Sequence, residues 1–248
     1  MTGKRQKTQP TPRVAAFRPA DGRASTAEQL LRSLGADPVI DPMVALEATD
    51  ERPRSDAAIV ILTSPRAASL LEEWRPAPGQ QVCAIGDTTA AALADIGIEV
   101  AIIPDDFSSQ GLVSTLAGRV DGLRVEIARS DHGSNVLIEG LIDAGAYVHE
   151  TVLYRLVRPS DAGVSVEQTK AGNLDAVLFT SPLTVEHFLE KAREMGDESA
   201  VKQALDEMLI GVIGDPTANR VRQHGLTVDL VADRADFERL AVQALAQL

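Results

Sequence analysis

Apolar residues in this chain fall into short unbroken runs, among them Val14–Phe17, Ala58–Thr63 and Val82–Ile85, and Glu99–Ile103 is a further expected strand. Runs of this length, apolar at consecutive rather than alternate positions, suit strands buried on both faces of a parallel sheet. Between them apolar residues recur at helical spacing, as in Ala27, Leu30, Leu31 and Leu34, then over Ala90–Ile96, Gln110–Leu116 and Asn135–Ala144. Ser25-Thr26 is expected to cap the first helix, and Ser64-Pro65 supplies a hydroxyl cap with proline in the first turn. Asp87 or Thr88 is the cap expected for the helix Ala90–Ile96, and Gly35 and Gly97 supply left-handed ends. Asp37–Asp41 returns as a strand, Pro42 interrupts it, and Met43–Leu46 continues extended. Glu47–Asp56 reads as a polar linker and Pro159–Asn173 as a loose stretch.

The pattern occurs twice. ILTSPRAASLL (Ile61–Leu71) and VCAIGDTTAAALADIGIEV (Val82–Val100) return as LFTSPLTVEHFL (Leu178–Leu189) and IGVIGDPTANRVRQHGLTV (Ile210–Val228). Ser64 and Ser181 are 117 residues apart, whereas Gly86 and Gly214 are separated by 128, as are Gly97 and Gly225; one insertion of 11 residues therefore lies between the motifs. The opening strand, Arg18, helix, Gly35-Ala36 and following strand also recur, as Arg124–Ala128, Arg129, Asn135–Ala144, Gly145-Ala146 and Tyr147–Leu156. The chain order is thus a, b, a′, b′, a duplication of β-α-β units. Strands alternating with helices indicate α/β architecture, and each a plus b supplies the five strands of a flavodoxin-like sheet. Pattern alone leaves two pairings open, a with b or a with b′. Two extended segments, Val39–Leu46 and Val148–Val157, are longer than one small sheet needs, which favours the interleaved pairing with two crossings.

Length and composition constrain the rest. With 248 residues, 44% hydrophobic and 24% charged, the chain can bury two ordinary cores. Only 3% is aromatic, so those cores must be built from Ala, Val, Leu and Ile. A net charge of −12 argues against a nucleic-acid surface. The single cysteine, Cys83, excludes an internal disulfide, lies in an apolar run as a buried thiol would, and fits the cytoplasm. No apolar run reaches the roughly 18 residues of a membrane span. Residues 1–12 are polar and basic, the composition of a disordered tail and not of a signal peptide.

Ligands of open parallel sheets bind beyond the carboxyl ends of the strands. At that edge lie Arg18, Ser64, Thr89, Arg129, Ser181 and Thr217, several of them opening helices whose free N–H groups favour carboxylates or phosphates. The same residues serve equally as helix caps, first-turn residues or surface charges. His132, His149, His187 and His224 lack metal-ligand spacing, and no Walker loop, G-x-G-x-x-G, H-E-x-x-H or C-x-x-C occurs, so no metal or nucleotide cofactor is expected.

The doubled TSP-then-IGDxTA pattern, the opening strand with Arg18-Pro19, the GA turn after the first helix and Tyr154-Arg155 in the second crossing together resemble uroporphyrinogen-III synthase, from about Val14 to Leu248. The resemblance implies two interleaved flavodoxin-like domains joined by a two-stranded crossing. Their expected extents are 13–42 plus 157–248 for the first and 43–156 for the second. It also implies cofactor-free cyclisation of hydroxymethylbilane, a linear tetrapyrrole with eight carboxylates, with inversion of the last ring and loss of water. By position, Tyr154 is the candidate catalytic residue; Arg18, Ser64, Thr89, Arg129, Ser181 and Thr217 are candidate substrate-binding residues. A monomer without nucleic-acid or membrane partners is expected. Both turns read IGD where the family commonly has IGP, and Pro65-Arg66 replaces a polar-Gly pair. A catalytically silent paralogue or a hinge-type small-ligand-binding or regulatory protein shares the same sequence architecture.

Overall fold

The computed structural model describes residues 11–19 and 22–248, so most of the expected tail lies outside the described residues. The first strand and helix are β1 (Arg13–Ala16) and α1 (Gly22–Ser33), followed by β2 (Asp37–Ile40), β3 (Ala45–Ala48), β4 (Ile59–Leu62), α2 (Pro65–Ser69), β5 (Gln81–Ala84), α3 (Asp87–Asp95) and α4 (Ser109–Leu116). The chain continues through β6 (Arg124–Ser130), α5 (Asn135–Asp143), β7 (Tyr147–Val157), α6 (Val164–Lys170), β8 (Ala176–Phe179), α7 (Pro182–Glu194) and α8 (Glu198–Leu205). It ends with β9 (Leu209–Val212), α9 (Asp215–Gln223), β10 (Leu230–Val231) and α10 (Phe237–Leu245).

The strands form two five-stranded sheets, ordered β10-β9-β8-β1-β2 and β3-β7-β6-β4-β5. The first joins a to b′ and the second joins b to a′, so the chain is interleaved. Every recorded pairing of β1, β2, β8, β9 and β10 is parallel, and read from β2 the order is that of a flavodoxin-like sheet. In the second sheet β3 stands beside β7, so the two crossing segments are neighbours. The compact units are Met1–Ala45 with Val157–Leu248, and Leu46–Leu156.

Each sheet is buried on both faces, which is why its strands read as unbroken apolar runs. Along β1 and its continuation, Val14 and Ala16 face one core with Leu31, Leu178 and Leu240, while Ala15 and Phe17 face another with Val177 and Phe179. That second core concentrates three of the chain's five phenylalanines, with ring centroids of Phe17, Phe179 and Phe188 4.8–5.6 Å apart. In the other unit Ile59, Ile61 and Ile127 pack beneath α4 and α5, and Val60, Leu62 and Val82 pack with residues of α2 and α3. Cys83 is fully buried there, and burial pushes its thiol up to about 12.

Several local expectations are corrected. Ser25 and Thr26 lie inside α1, where the Thr26 hydroxyl donates to the Gly22 carbonyl at 2.9 Å. Gly86, not Asp87 or Thr88, occupies the N-cap position of α3, and Asp87 is its first residue. Glu99–Ile103 makes only an isolated bridge from Ile102 to Cys83. The loose stretch contains α6, whose start is held from far away: buried Asp41 accepts hydrogen bonds from Gly163 N, Ser165 N and Ser165 Oγ at 2.5–3.2 Å. The 11-residue insertion is accounted for by a long α7 and by α8.

Candidate functional site

In the unit Leu46–Leu156, Ser64 and Gly86 lie two residues past the ends of β4 and β5, and Arg129 is the last residue but one of β6. Ser64 is the N-cap of α2 and its Oγ accepts the Ala67 N–H at 3.1 Å. The same Oγ lies 3.2 Å from the Tyr154 hydroxyl. Two predicted site residues 90 positions apart are therefore in direct contact.

Tyr154 reaches Ser64 because β7 is irregular there. Arg129 pairs with Val152 and Ser130 with Tyr154, so Leu153 is an extra residue in the β6–β7 ladder. Simple alternation would separate Leu153 and Tyr154 onto opposite faces. The shift overrides it, and both are buried in the one cluster with Ala67, Ala68 and Leu71 of the α2 segment. Bulges re-aim side chains in this way, often beside active sites. The irregular region is pinned on both sides. Thr49, just past β3, donates its N–H to the Leu153 carbonyl at 2.9 Å and its hydroxyl to that of Val152 at 2.5 Å, and Asp131 N donates to the Tyr154 carbonyl at 3.2 Å. Asp131 accepts from Leu156 N and pairs with His132; burial opposes its ionisation, but these bonds win and hold the carboxyl below its ordinary range.

Thr89 is the third residue of α3, 1% exposed, and its hydroxyl has no hydrogen-bond partner among the described residues. The helix start beside it has no side-chain cap. Gly86 is required by close approach: a Cβ there would meet the ring of Phe107 at 2.9–3.2 Å. Arg129 is 4% exposed, its guanidinium ion-paired with Glu150 and donating to the Ser134 carbonyl at 2.6 Å. Gly133 lies against that guanidinium, where a Cβ would come within 2.3 Å. The structure thus commits Arg129 to binding the β6–α5 turn to β7.

In the other unit, Ser181 caps α7 in a reciprocal box with Thr184. Thr217 is the buried third residue of α9, whose N-cap position is Gly214. Arg18 lies beyond the end of β1 with its guanidinium carbon 5.2 Å from the Phe237 ring centroid. Glu186 of α7 bonds Arg220 and His224 of the α9 segment; burial raises its carboxyl, but those two partners outweigh it and leave it lowered. His187 bonds the Met43 carbonyl at 2.6 Å and His149 the buried Glu126 at 2.9 Å, so all four histidines have local partners. Among the described residues no group of three or more His, Cys, Asp or Glu could hold a metal, and no helix is long and apolar enough to cross a membrane.

The family model described as uroporphyrinogen-III synthase HemD matches residues 25–241. The chain belongs to the uroporphyrinogen-III synthase family. It is 32% identical over 231 residues to a Methanothermobacter thermautotrophicus protein named "Putative uroporphyrinogen-III synthase", covering 86% of this chain and 90% of that one. Uroporphyrinogen-III synthase of Chlorobaculum parvum is 23% identical over 192 residues, 75% of this chain and 73% of its own. Two solved structures share the fold. A mutant uroporphyrinogen III synthase of Thermus thermophilus superposes with a TM-score of 0.67 at 20% identity, covering 96% of this chain and 98% of that one. The Helicobacter pylori uroporphyrinogen-III synthetase gives 0.60 at 16% identity, covering 96% and 100%. For a member of the uroporphyrinogen-III synthase family, the contact missed by sequence reasoning is the one between Ser64 and Tyr154. Its only trace in the sequence is a tyrosine in a crossing strand.

Proposed function

We propose that this chain converts hydroxymethylbilane to uroporphyrinogen III in tetrapyrrole biosynthesis, closing the macrocycle with inversion of the last ring and loss of water. The observation that carries this reading is the family match over residues 25–241, which includes both TS and both IGD motifs. The chemistry asks little of the protein in reactive groups. The terminal pyrrole nitrogen supplies the electron pair that expels its own hydroxyl, so no metal or cofactor has to activate the carbon. What remains is to hold the chain folded and to direct closure, which is catalysis by positioning.

In this reading Tyr154 donates a hydrogen bond to the departing oxygen. Carboxylates of the substrate are held at the N-termini of α3, α7 and α9 beside Thr89, Ser181 and Thr217, where N–H groups and the helix dipole favour negative charge, and by Arg18. Arg129 organises the β6–α5 turn and does not serve as a ligand. The protein acts as a monomer in the cytoplasm on one small tetrapyrrole with eight carboxylates. Incubation of the full chain with hydroxymethylbilane, followed by isomer separation, should give the type III product in place of the spontaneous type I. Folded protein that leaves only type I would defeat the reading and favour a silent paralogue or ligand-binding module.

A further inference from the structure

We propose that Ser64 is a positioning residue for Tyr154 and not a holder of substrate carboxylate. The inference rests on the reading that Tyr154 assists departure of the hydroxyl. A serine hydroxyl offers one donor and two acceptor sites. One acceptor site of Ser64 Oγ is taken by the Ala67 N–H at 3.1 Å, and the remaining valency faces the Tyr154 hydroxyl at 3.2 Å. If the tyrosine donated to the serine, the phenolic proton would be consumed within the protein. With the serine donating to the phenolic oxygen, the Tyr154 O–H is released to point at the substrate. As the C–O bond of the terminal hydroxymethyl group breaks, the pyrrole nitrogen supplies the electron pair and the departing oxygen takes up a proton from Tyr154 to leave as water. The Ser64 O–H then meets the charge left on the phenolic oxygen, and the proton returns to it when the α-carbon of the last ring, having formed the closing C–C bond, gives up its hydrogen and the pyrrole becomes aromatic again.

The surroundings of Ser64 suit this role and not anion binding. The helix α2 that it caps is only five residues long. Pro65 at its first position has no N–H, and the Ala67 N–H already belongs to Ser64, so few donors remain for a carboxylate. The repeat supplies the contrast. In the second copy Ser181 is closed in a reciprocal box with Thr184. Ala67 stands at the equivalent place in the first copy and cannot complete the box. The same α2 segment also carries Ala67, Ala68 and Leu71 into the cluster that buries Tyr154, so ring and hydroxyl are fixed from one element.

The test compares Ser64→Gly and Ser64→Thr, each alone and combined with Tyr154→Phe, in the full chain. Glycine is tolerated at an N-cap with little loss of stability, whereas threonine keeps both cap and donor. Ser64→Gly should lower kcat for type III formation about tenfold with KM within about twofold of the parent, and Ser64→Thr should recover most of the loss. In the Tyr154→Phe background Ser64→Gly should cause no further fall in kcat; multiplicative effects of the two changes would overturn the proposal even if the glycine variant melts early. A rise in KM with kcat intact would make Ser64 a substrate ligand and also overturn it. Full kcat in Ser64→Gly with an impaired Tyr154→Phe would sink this inference alone. Full activity in Tyr154→Phe would sink the reading of Tyr154 itself.

Discussion

Thr89 offers the sharpest separation of stability from function. Its hydroxyl is buried in the first turn of α3 and has no hydrogen-bond partner among the described residues, on a residue only 1% exposed. A buried polar group left unpaired costs roughly 1–3 kcal/mol relative to its hydrated state. Thr89→Val removes that cost while keeping the β-branched shape and nearly the same volume. Where a threonine hydroxyl is bonded, the same change destabilises, because the exchange is not neutral for a satisfied group. The sign of the effect is therefore diagnostic. A gain of about 1–2 kcal/mol in a chain of this size should raise Tm by about 2–8 °C. If the hydroxyl is kept for a substrate oxygen, the stabilised variant should lose about 5- to 10-fold in kcat/KM, the value of one neutral hydrogen bond. Thermal melting by circular dichroism and initial rates of type III formation give both quantities on one preparation. A lowered Tm would refute the orphaned hydroxyl. A raised Tm with undiminished kcat/KM would remove Thr89 from the site.

Three further outcomes are expected. Tyr154→Phe should slow type III formation about 10- to 100-fold, the worth of roughly 1.5–3 kcal/mol for a hydrogen bond to developing charge, with Tm nearly unchanged; an equal loss of Tm and activity would return Tyr154 to a packing role. Asp41→Ala should destabilise by roughly 3 kcal/mol or more, since it strands the Gly163 N, Ser165 N and Ser165 Oγ donors in the core, and proteolysis should then cut first near α6; a denaturant midpoint like the parent's would refute that anchoring. Burial raises the Cys83 thiol to about 12, so folded protein should resist alkylation at neutral pH and react only on unfolding. Because this folded value is raised, the burial favours the native state fully below the unfolded thiol's range and is lost as pH climbs toward 12. Rapid labelling of native protein at pH 7 would contradict this.

What the sequence disclosed and what it withheld follow from the range of the interactions involved. Strands buried on both faces declare themselves by composition alone, as β4 does with Ile59, Val60, Ile61 and Leu62 all buried. The ends of α1 and α3 were legible because Gly35 and Gly97 adopt φ of 88° and 78°, where a side chain would be strained. The order of units leaves two pairings open and the excess length of two extended segments favours the interleaved one, which the strand order decides. By contrast α6 has no side-chain cap at its own start: Gly163 is the N-cap, Val164, Ser165 and Val166 follow, and the N–H groups of Gly163 and Ser165 are met by Asp41, more than 120 residues earlier. Asp87 reads equally as a cap or a first-turn residue, because acidic residues favour both places, and only the extended backbone of Gly86 decides between them.

The site divides along the same line. Caps such as Ser64 and Ser181 are set by three or four neighbouring residues, so their positions could be read; their chemical roles depend on what the hydroxyl meets next. For Arg129 that partner is Glu150, on the adjoining strand, which with the Ser134 carbonyl ties the guanidinium to its own loop. For Ser64 it is Tyr154, and alternation along β7 gives the wrong geometry because the one-residue shift at Leu153 cancels it. A bulge has no sequence signature here: Val152, Leu153 and Tyr154 are all ordinary strand residues, and the irregularity exists only in the pairing with Arg129 and Ser130. The two nearly identical TS motifs therefore differ in what their serines meet, through a register shift far along the chain. In one the serine completes a capping box; in the other it caps a short helix alone, and the bulge brings a phenol within 3.2 Å of it.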